Sequence, residues 1–466
     1  MKNIFKRKPS DFPTEYTVTN AIKKGDMLTK LSFVFLGAGN IARKQIAKGI
    51  MFLTVEVAYI LYMVLAGFDK FMALITGGNI GGYNKSEVWD NYEQAYIYEF
   101  KGTKSIIALL FAVFTILITL LFILFWRECV KSAYKAQCLQ KEGKHINSFK
   151  EEVTELFNGN LHKLLLTLPI TGVIAFTILP IIYTMLMAFT NFAKSKDTTQ
   201  NKFSWSGFGT FKEVLGLDGQ IGEQFWSVLA WTIVWAIFAT VLNYIFGMIL
   251  ALVINRKGTK LKGMWRFFFI LSIAIPQFVS LLIVRTLLNE NGALNNELLE
   301  RKIISEPLPF FKDPTGARVT VIIVNCWVGI PYTMLTMTGI LQNIPADLYE
   351  AARVDGANAF VTFCKITLPY MLFVTMPSLI TTFTGNINNF NVIYLLSGGG
   401  PADTKNFGYT AGKTDLLVTW LFKLTIDKEE YNIGAVIGIM TFVVLSVVSL
   451  VTYRNTNSYK DEEGFQ

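Results

Sequence analysis

Asn325, Gly329 and Tyr332 fall at i, i+4 and i+7 inside an apolar stretch, which sets an amide, a gap and a phenol along one face of a helix. Such groups exchange hydrogen bonds with a neutral solute; they supply no nucleophile, general base or metal ligand. Trp327 and Pro331 complete that cluster. Two more apolar stretches carry polar interruptions: Gln277 after Pro276, and the run Thr384, Gly385, Asn386, Asn388, Asn389 and Asn391 before Tyr394. Unpaired polar groups in hydrocarbon are costly, so these side chains should face a bundle interior or a water-filled cavity. Any single asparagine could serve only to bond a neighbouring helix. As a group, the Asn325 face points to a cavity suited to sugars, whose C–H faces pack on aromatic rings while amides meet their hydroxyls.

Those residues must be held by membrane spans. Of 466 residues, 52% are hydrophobic and 17% charged, with a mean hydropathy of +0.41, the composition of an integral membrane protein. Eight segments reach the length of about 20 apolar residues that a bilayer requires: 49–68, 105–126, 164–189, 227–254, 267–288, 319–341, 369–391 and 432–453. The tails and even-numbered connectors carry 26 Lys and Arg against 16 in the other connectors. The sharpest case is the fourth connector, with Arg256, Lys257, Lys260, Lys262, Arg266 and no acid. The positive-inside rule therefore puts both termini in the cytoplasm of a multi-pass protein of the cell membrane. The polar start of the chain up to Lys30 offers no apolar core for a cleaved signal.

Several chemistries are excluded. The net charge of +9 flanks apolar segments instead of gathering beside exposed aromatics, which argues against nucleic acid. Cys129, Cys138, Cys326 and Cys364 with His145 and His162 lack the spacing of a metal site, and no disulfide is expected. Gly258 to Gly263 is followed by Met264 and Trp265, not by the Lys-Ser/Thr of a phosphate-cradling loop. Without that loop the energy for any transport must come from another polypeptide, and no catalytic constellation stands out. Glu56 and Arg285 are the charges within spans; Arg285 can snorkel outward, and Glu56 is expected near an interface or paired. Thr414 to Leu424 has spaced apolar residues that could lie on the outer membrane surface as an amphipathic helix.

Between the sixth and seventh spans runs EAARVDGANAFVTFCKITLP, residues 350 to 369. Ala346 to Asp355 is rich in helix formers, Gly356 suits a left-handed helix end, and a second short helix precedes Pro369. The pattern Glu350-Ala351-Ala352, three residues, Gly356, nine residues, Ile366-x-Leu368-Pro369 resembles the signature loop of permease subunits in binding-protein-dependent, ATP-driven importers. With IIVNCWVGIPYTM, NNFNVIYLLSGGGP and GYTAGKTDLLVTWLF, roughly residues 160 to 460 resemble the larger permease of maltose and maltodextrin importers.

The resemblance implies an all-α protein with a six-helix type I ABC importer core. Its parts would be a cytoplasmic tail (1–48), two added helices with an external loop (49–126), a cytoplasmic connector (127–163), the core (164–453) with its coupling loop (342–368), and a cytoplasmic tail (454–466). It further implies a second homologous permease, two ATPase subunits holding ATP and magnesium, and an extracytoplasmic sugar-binding protein. No cofactor is implied in this chain itself. Asn325, Val328, Gly329 and Tyr332 match the family's contact positions for a maltooligosaccharide. Ile273 and Gln277 stand where the enterobacterial form has tyrosine and serine, and Gly385 where it has phenylalanine, which implies a wider site for longer or differently linked glucans. The large external domain that some relatives insert after the third span is absent from 190–226. Glu350, Ala351, Ala352, Asp355 and Gly356 would couple to the ATPase. An ion-coupled secondary sugar transporter would need membrane carboxylates on core helices. A membrane-bound glycosyl-transferring enzyme would need paired acids, and Asp427, Glu429 and Glu430 form the main external acidic cluster.

Overall fold

The computed structural model describes residues 16–75, 84–90, 95–101, 105–196, 204–216, 219–256, 258–402 and 411–454. It divides into two compact units, one comprising the chain to Phe192 with Lys196–Trp205, the other Ala193–Ser195 and the chain from Ser206 onward.

The first unit begins with three short helices, α1 (Val18–Lys24), α2 (Met27–Leu31) and α3 (Ala38–Ile41). Thr17 caps α1 and Asp26 caps α2, each side chain accepting a backbone N–H of the first turn. Arg43 is buried and donates from Nη2 to both Asp26 carboxylate oxygens at 2.7 and 2.8 Å. The first span runs through α4 (Ile46–Tyr62), a π turn at Met63–Gly67 and α5 (Phe68–Ile75). It packs on α6 (Ser105–Lys141), with the Tyr59 and Phe122 rings stacked at 3.9 Å. Glu56 is paired as expected: it accepts the Leu36 backbone N–H at 2.8 Å. Between these spans lies the departure from an all-helical chain, an antiparallel hairpin of β1 (Asn84–Asp90) and β2 (Ala95–Lys101). A capped helix, α7 (Phe149–Asn158), precedes the third span, formed by α8 (Leu161–Val173), a π turn at Ile174–Ile178 and α9 (Leu179–Met187).

The second unit contains α10 (Gly209–Leu215), α11 (Gln220–Asn255), α12 (Lys262–Ala274), α13 (Gln277–Leu287), α14 (Ala293–Glu300), α15 (Pro314–Asn343), α16 (Ala346–Val354) and α17 (Ala359–Thr362). After a π turn at Phe363–Thr367 come α18 (Leu368–Ile387), α19 (Phe390–Leu396), α20 (Leu417–Phe422) and α21 (Tyr431–Arg454). Its centre is the parallel contact of α11 with α15. Along α11, Ala239, Asn243, Gly247 and Ala251 repeat every four residues and are buried, while Phe238, Ile245, Phe246 and Ile249 stay exposed for lipid. A Cβ on Gly247 would come within 2.6 Å of Thr333, so glycine is what lets the two backbones close.

Two expectations change. The span expected at 267–288 is broken into α12 and α13, bent by 89°. Ile275 and Pro276 are extended at the break, and proline has no N–H to continue the helix. Seven helices among the described residues are long and apolar enough to cross a membrane, or up to eight if the bent pair is one span. Secondly, Thr414 to Leu424 does not present its apolar face outward. Leu416, Leu417, Trp420 and Leu424 are buried in the unit's own packing, and the Leu417 N–H donates to Thr232 Oγ1 of α11 at 3.1 Å.

Candidate functional site: a polar cavity joined to a surface helix

A cavity of about 710 Å³ opens among α11, the α12–α13 break, α15 and α18. Its lining mixes amides, hydroxyls, aromatic rings and aliphatic groups; among the described residues no Asp, Glu, Lys, Arg or His contributes. The extended Ile275–Pro276 segment borders it, as irregular backbone at membrane depth should when it lines a cavity.

The lining brings together Asn325, Val328, Gly329 and Tyr332 of α15 with Ile273 and Gln277 from either side of the break. Asn325 is buried, and Tyr332 is 66% exposed. Gly385 is not brought in: it is absent from the lining, and a Cβ added there meets nothing within 4 Å. Its neighbour Asn386 does line the cavity, donating from Nδ2 to Thr240 Oγ1 at 3.0 Å.

Sequence reasoning missed the wall from α11. Thr240, Asn243 and Tyr244 all reach the cavity, and Tyr244 and Thr375 of α18 share a hydroxyl–hydroxyl bond at 2.9 Å. The four-residue repeat of small and polar side chains along α11 is the signal that could have marked this face. Asn243 Oδ1 and Asn325 Nδ2 are buried without a hydrogen-bond partner among the described residues.

From Asn325 to its end at Asn343, α15 extends about 27 Å at 1.5 Å per residue. Ile344 and Pro345 are extended, and α16 follows at once. Gly356 has φ +73°, the left-handed geometry expected of it, and the Ala357 N–H reaches back to the Ala352 carbonyl at 2.9 Å. Asn358 caps α17 through a 2.8 Å bond from the Val361 N–H. A Tyr349–Thr367 hydroxyl pair at 3.1 Å ties α16 to the start of α18. Ala352 is buried, whereas Glu350, Ala351, Asp355 and Gly356 are exposed beside the apolar Val354 and Phe360, 88% and 74% exposed.

The acids expected to cluster outside make structural contacts. Glu430 is buried and accepts the Ser195 N–H and hydroxyl at 2.9 and 2.8 Å, while Glu429 pairs with Lys194 at 3.2 Å.

Residues 243–458 match the family described as binding-protein-dependent transport system inner membrane component. The galactooligosaccharides transport system permease protein GanP of Bacillus subtilis (strain 168) is 33% identical over 91% of this chain and 96% of its own length. The chain belongs to this family. It is thus a multi-pass permease subunit of the cytoplasmic membrane, serving a binding-protein-dependent ABC importer and itself no enzyme. The maltodextrin transport system permease protein MdxF of the same strain is 29% identical over 96% of the permease and 99% of its own length. A crystal structure of a bacterial ABC transporter that imports the acidic polysaccharide alginate covers 65% of the permease and 96% of the matched chain, with TM-score 0.50 and 22% identity. That likeness concerns the fold alone.

Proposed function

We propose that the cavity is the halfway station for a neutral maltooligosaccharide-like sugar, and that α15 links it to an ATPase-docking surface on α16. The observation that carries this reading is the lining: amides, hydroxyls and aromatic rings with no charge, in a volume within the about 300–1,000 Å³ typical of small-molecule sites. Relatives named for galactooligosaccharide and maltodextrin transport support an oligosaccharide cargo. An uncharged lining does not favour ion coupling, and the Glu56 carboxylate is engaged by a backbone N–H.

The full assembly would pair this chain with a second homologous permease, two ATPase subunits and an extracytoplasmic sugar-binding protein, both termini being cytoplasmic. Glu350 would meet a basic group in the ATPase cleft. Val354 and Phe360 would lose their exposure there, and Ala351 and Ala352 would permit close approach. ATP-driven closure of the partner dimer moves α16, and the spans alternate the cavity between the two sides.

Co-purification tests the assembly. A tagged chain should bring down a second permease and an ATPase in 1:1:2 proportion, and proteoliposomes of that complex with the binding protein should take up labelled maltotriose. A chain that purifies alone and moves sugar down an ion gradient would overturn the reading.

A further inference from the structure

We infer that residues 26–43 form a shallow re-entrant wedge, which dips beside α4 and α6 into the bilayer leaflet on the N-terminal side and sets Val34 and Phe35 among lipid acyl chains. The inference is independent of what the cavity carries.

The partners of this segment on α6 mark its descent. Trp126 closes the apolar part of α6, and the exposed Arg127 and Glu128 follow it. Gln137 lies 11 residues further on, about 17 Å along the helix. At that outer level Gln137 Oε1 accepts the Asp26 N–H at 2.9 Å. Seven residues later the chain has reached the Trp126 level, where the indole Nε1 donates to the Phe33 carbonyl at 3.0 Å and the two rings meet edge to face. Leu36 then reaches Glu56, ten residues into α4, and is buried with Phe52 and Cys129. From there the chain climbs back. Asn40 Nδ2 donates to Ser132 Oγ at 3.0 Å, and Arg43 returns to Asp26 to close the neck.

A turn at membrane depth must bring its own hydrogen-bond partners, because lipid offers none. Glu56 supplies the acceptor for the Leu36 N–H, Trp126 the donor for the Phe33 carbonyl, and Ser32 Oγ accepts the Gly39 N–H at 2.7 Å. Gly37, at φ +87°, lies so close to α4 that a Cβ would come within 2.3 Å of the Gly49 carbonyl oxygen. Glu56, a carboxylate within a span, thus has a local task as the anchor of the tip.

What the wedge presents outward suits a bilayer. Residues 31–42 carry no charge, while the exposed charged side chains flanking them, Lys23, Lys24, Lys30 and Lys44, are all basic. Val34 and Phe35 are 66% and 55% exposed. At the same level α4 exposes Leu53 and Val57, and α6 exposes Ile123 and Leu124, so the tip continues the apolar surface that the two spans turn to lipid. Apolar groups at the headgroup–acyl boundary with lysines among anionic headgroups are the division of an interfacial anchor.

The test uses the whole importer, with this chain's native cysteines replaced and a fluorescent NBD group on Phe35→Cys. It is reconstituted in vesicles of phosphatidylcholine and phosphatidylglycerol, with or without bromine on the upper acyl carbons. Val34→Cys is read the same way if Phe35→Cys does not assemble, and His145→Cys, at a side chain 71% exposed, is the water-facing control. Brominated lipid should quench the tip label at least about twofold and leave the control unchanged, while aqueous iodide should do the reverse. Iodide quenching of the tip equal to that of the control would overturn the wedge and put the tip in water. Quenching by neither agent would overturn it as well, because protein would then cover the tip.

Discussion

Gly329 of α15 and Asn243 of α11 occupy one crossing point, so close that a methyl group on the first would come within 2.2 Å of the side-chain nitrogen of the second. Gly329→Ala should therefore strain the helix pair by about 1–3 kcal/mol, the usual range for overpacking. Thermal unfolding of the purified complex measures it. In an Asn243→Ala background the clash partner is gone, so the penalty for Gly329→Ala should fall by more than half; strictly additive effects would show that the two residues do not share the space.

Gly385→Ala is the matching control. Open space surrounds that position, so a methyl group should shift neither the melting temperature nor uptake measurably. A substantial loss would mean that Gly385 borders the transport path after all.

At the coupling turn, Gly356 needs φ +73°. Gly356→Leu should cost about 1–2 kcal/mol in the local turn and uncouple the transporter, lowering sugar-stimulated ATP hydrolysis and uptake together. Unaltered stimulation in reconstituted complexes would remove this turn from the mechanism.

Asp415 is fully buried and accepts from Lys423 Nζ at 2.6 Å, the Gly412 N–H at 2.7 Å and Thr419 Oγ1 at 2.9 Å. Removing the carboxylate leaves three donors without it. Asp415→Ala should destabilise the second unit by about 3 kcal/mol, read as a fall in melting temperature. A change too small to resolve would show that water replaces the carboxylate freely.

Outside the spans, Glu151 closes the capping box of α7. The Ser148 backbone N–H, then the His145 side chain, holds its carboxyl down at about 2. Because the folded value lies below the ordinary 4.5, this contribution is present above pH 4.5 and is lost as pH falls toward 2. Ser148→Pro deletes the N–H, so NMR titration of Glu151 should move upward toward 4.5. An unmoved titration would assign the effect elsewhere.

Features governed by neighbours in sequence were legible. Gly356 could be placed in a left-handed turn because helix formers precede it, and the Asn325–Gly329–Tyr332 face follows from helical spacing alone. Pro276 lacks the N–H that would continue the helix, but the 89° bend at that point depends on how α12 and α13 pack. Thr414 to Leu424 shows why the rest was hidden. Spaced apolar residues fit a membrane surface or a protein interior equally well, and the contacts with α11 that decide it lie far away in sequence. Asn243 escaped for a similar reason: its meaning comes from Gly329, 86 positions later.

The central claim, that this cavity holds the sugar in transit, is tested most directly at Tyr332, which lines it yet is 66% exposed. Tyr332→Cys, made in the complete importer with this chain's four native cysteines replaced by serine or alanine, can be alkylated with a small maleimide with and without maltotriose. The account predicts that saturating sugar slows labelling at least about tenfold, while labelling at an exposed control away from the docking helix, His145→Cys, stays constant. Identical labelling rates at Tyr332→Cys with and without sugar, in a complex that still transports it, would contradict the account.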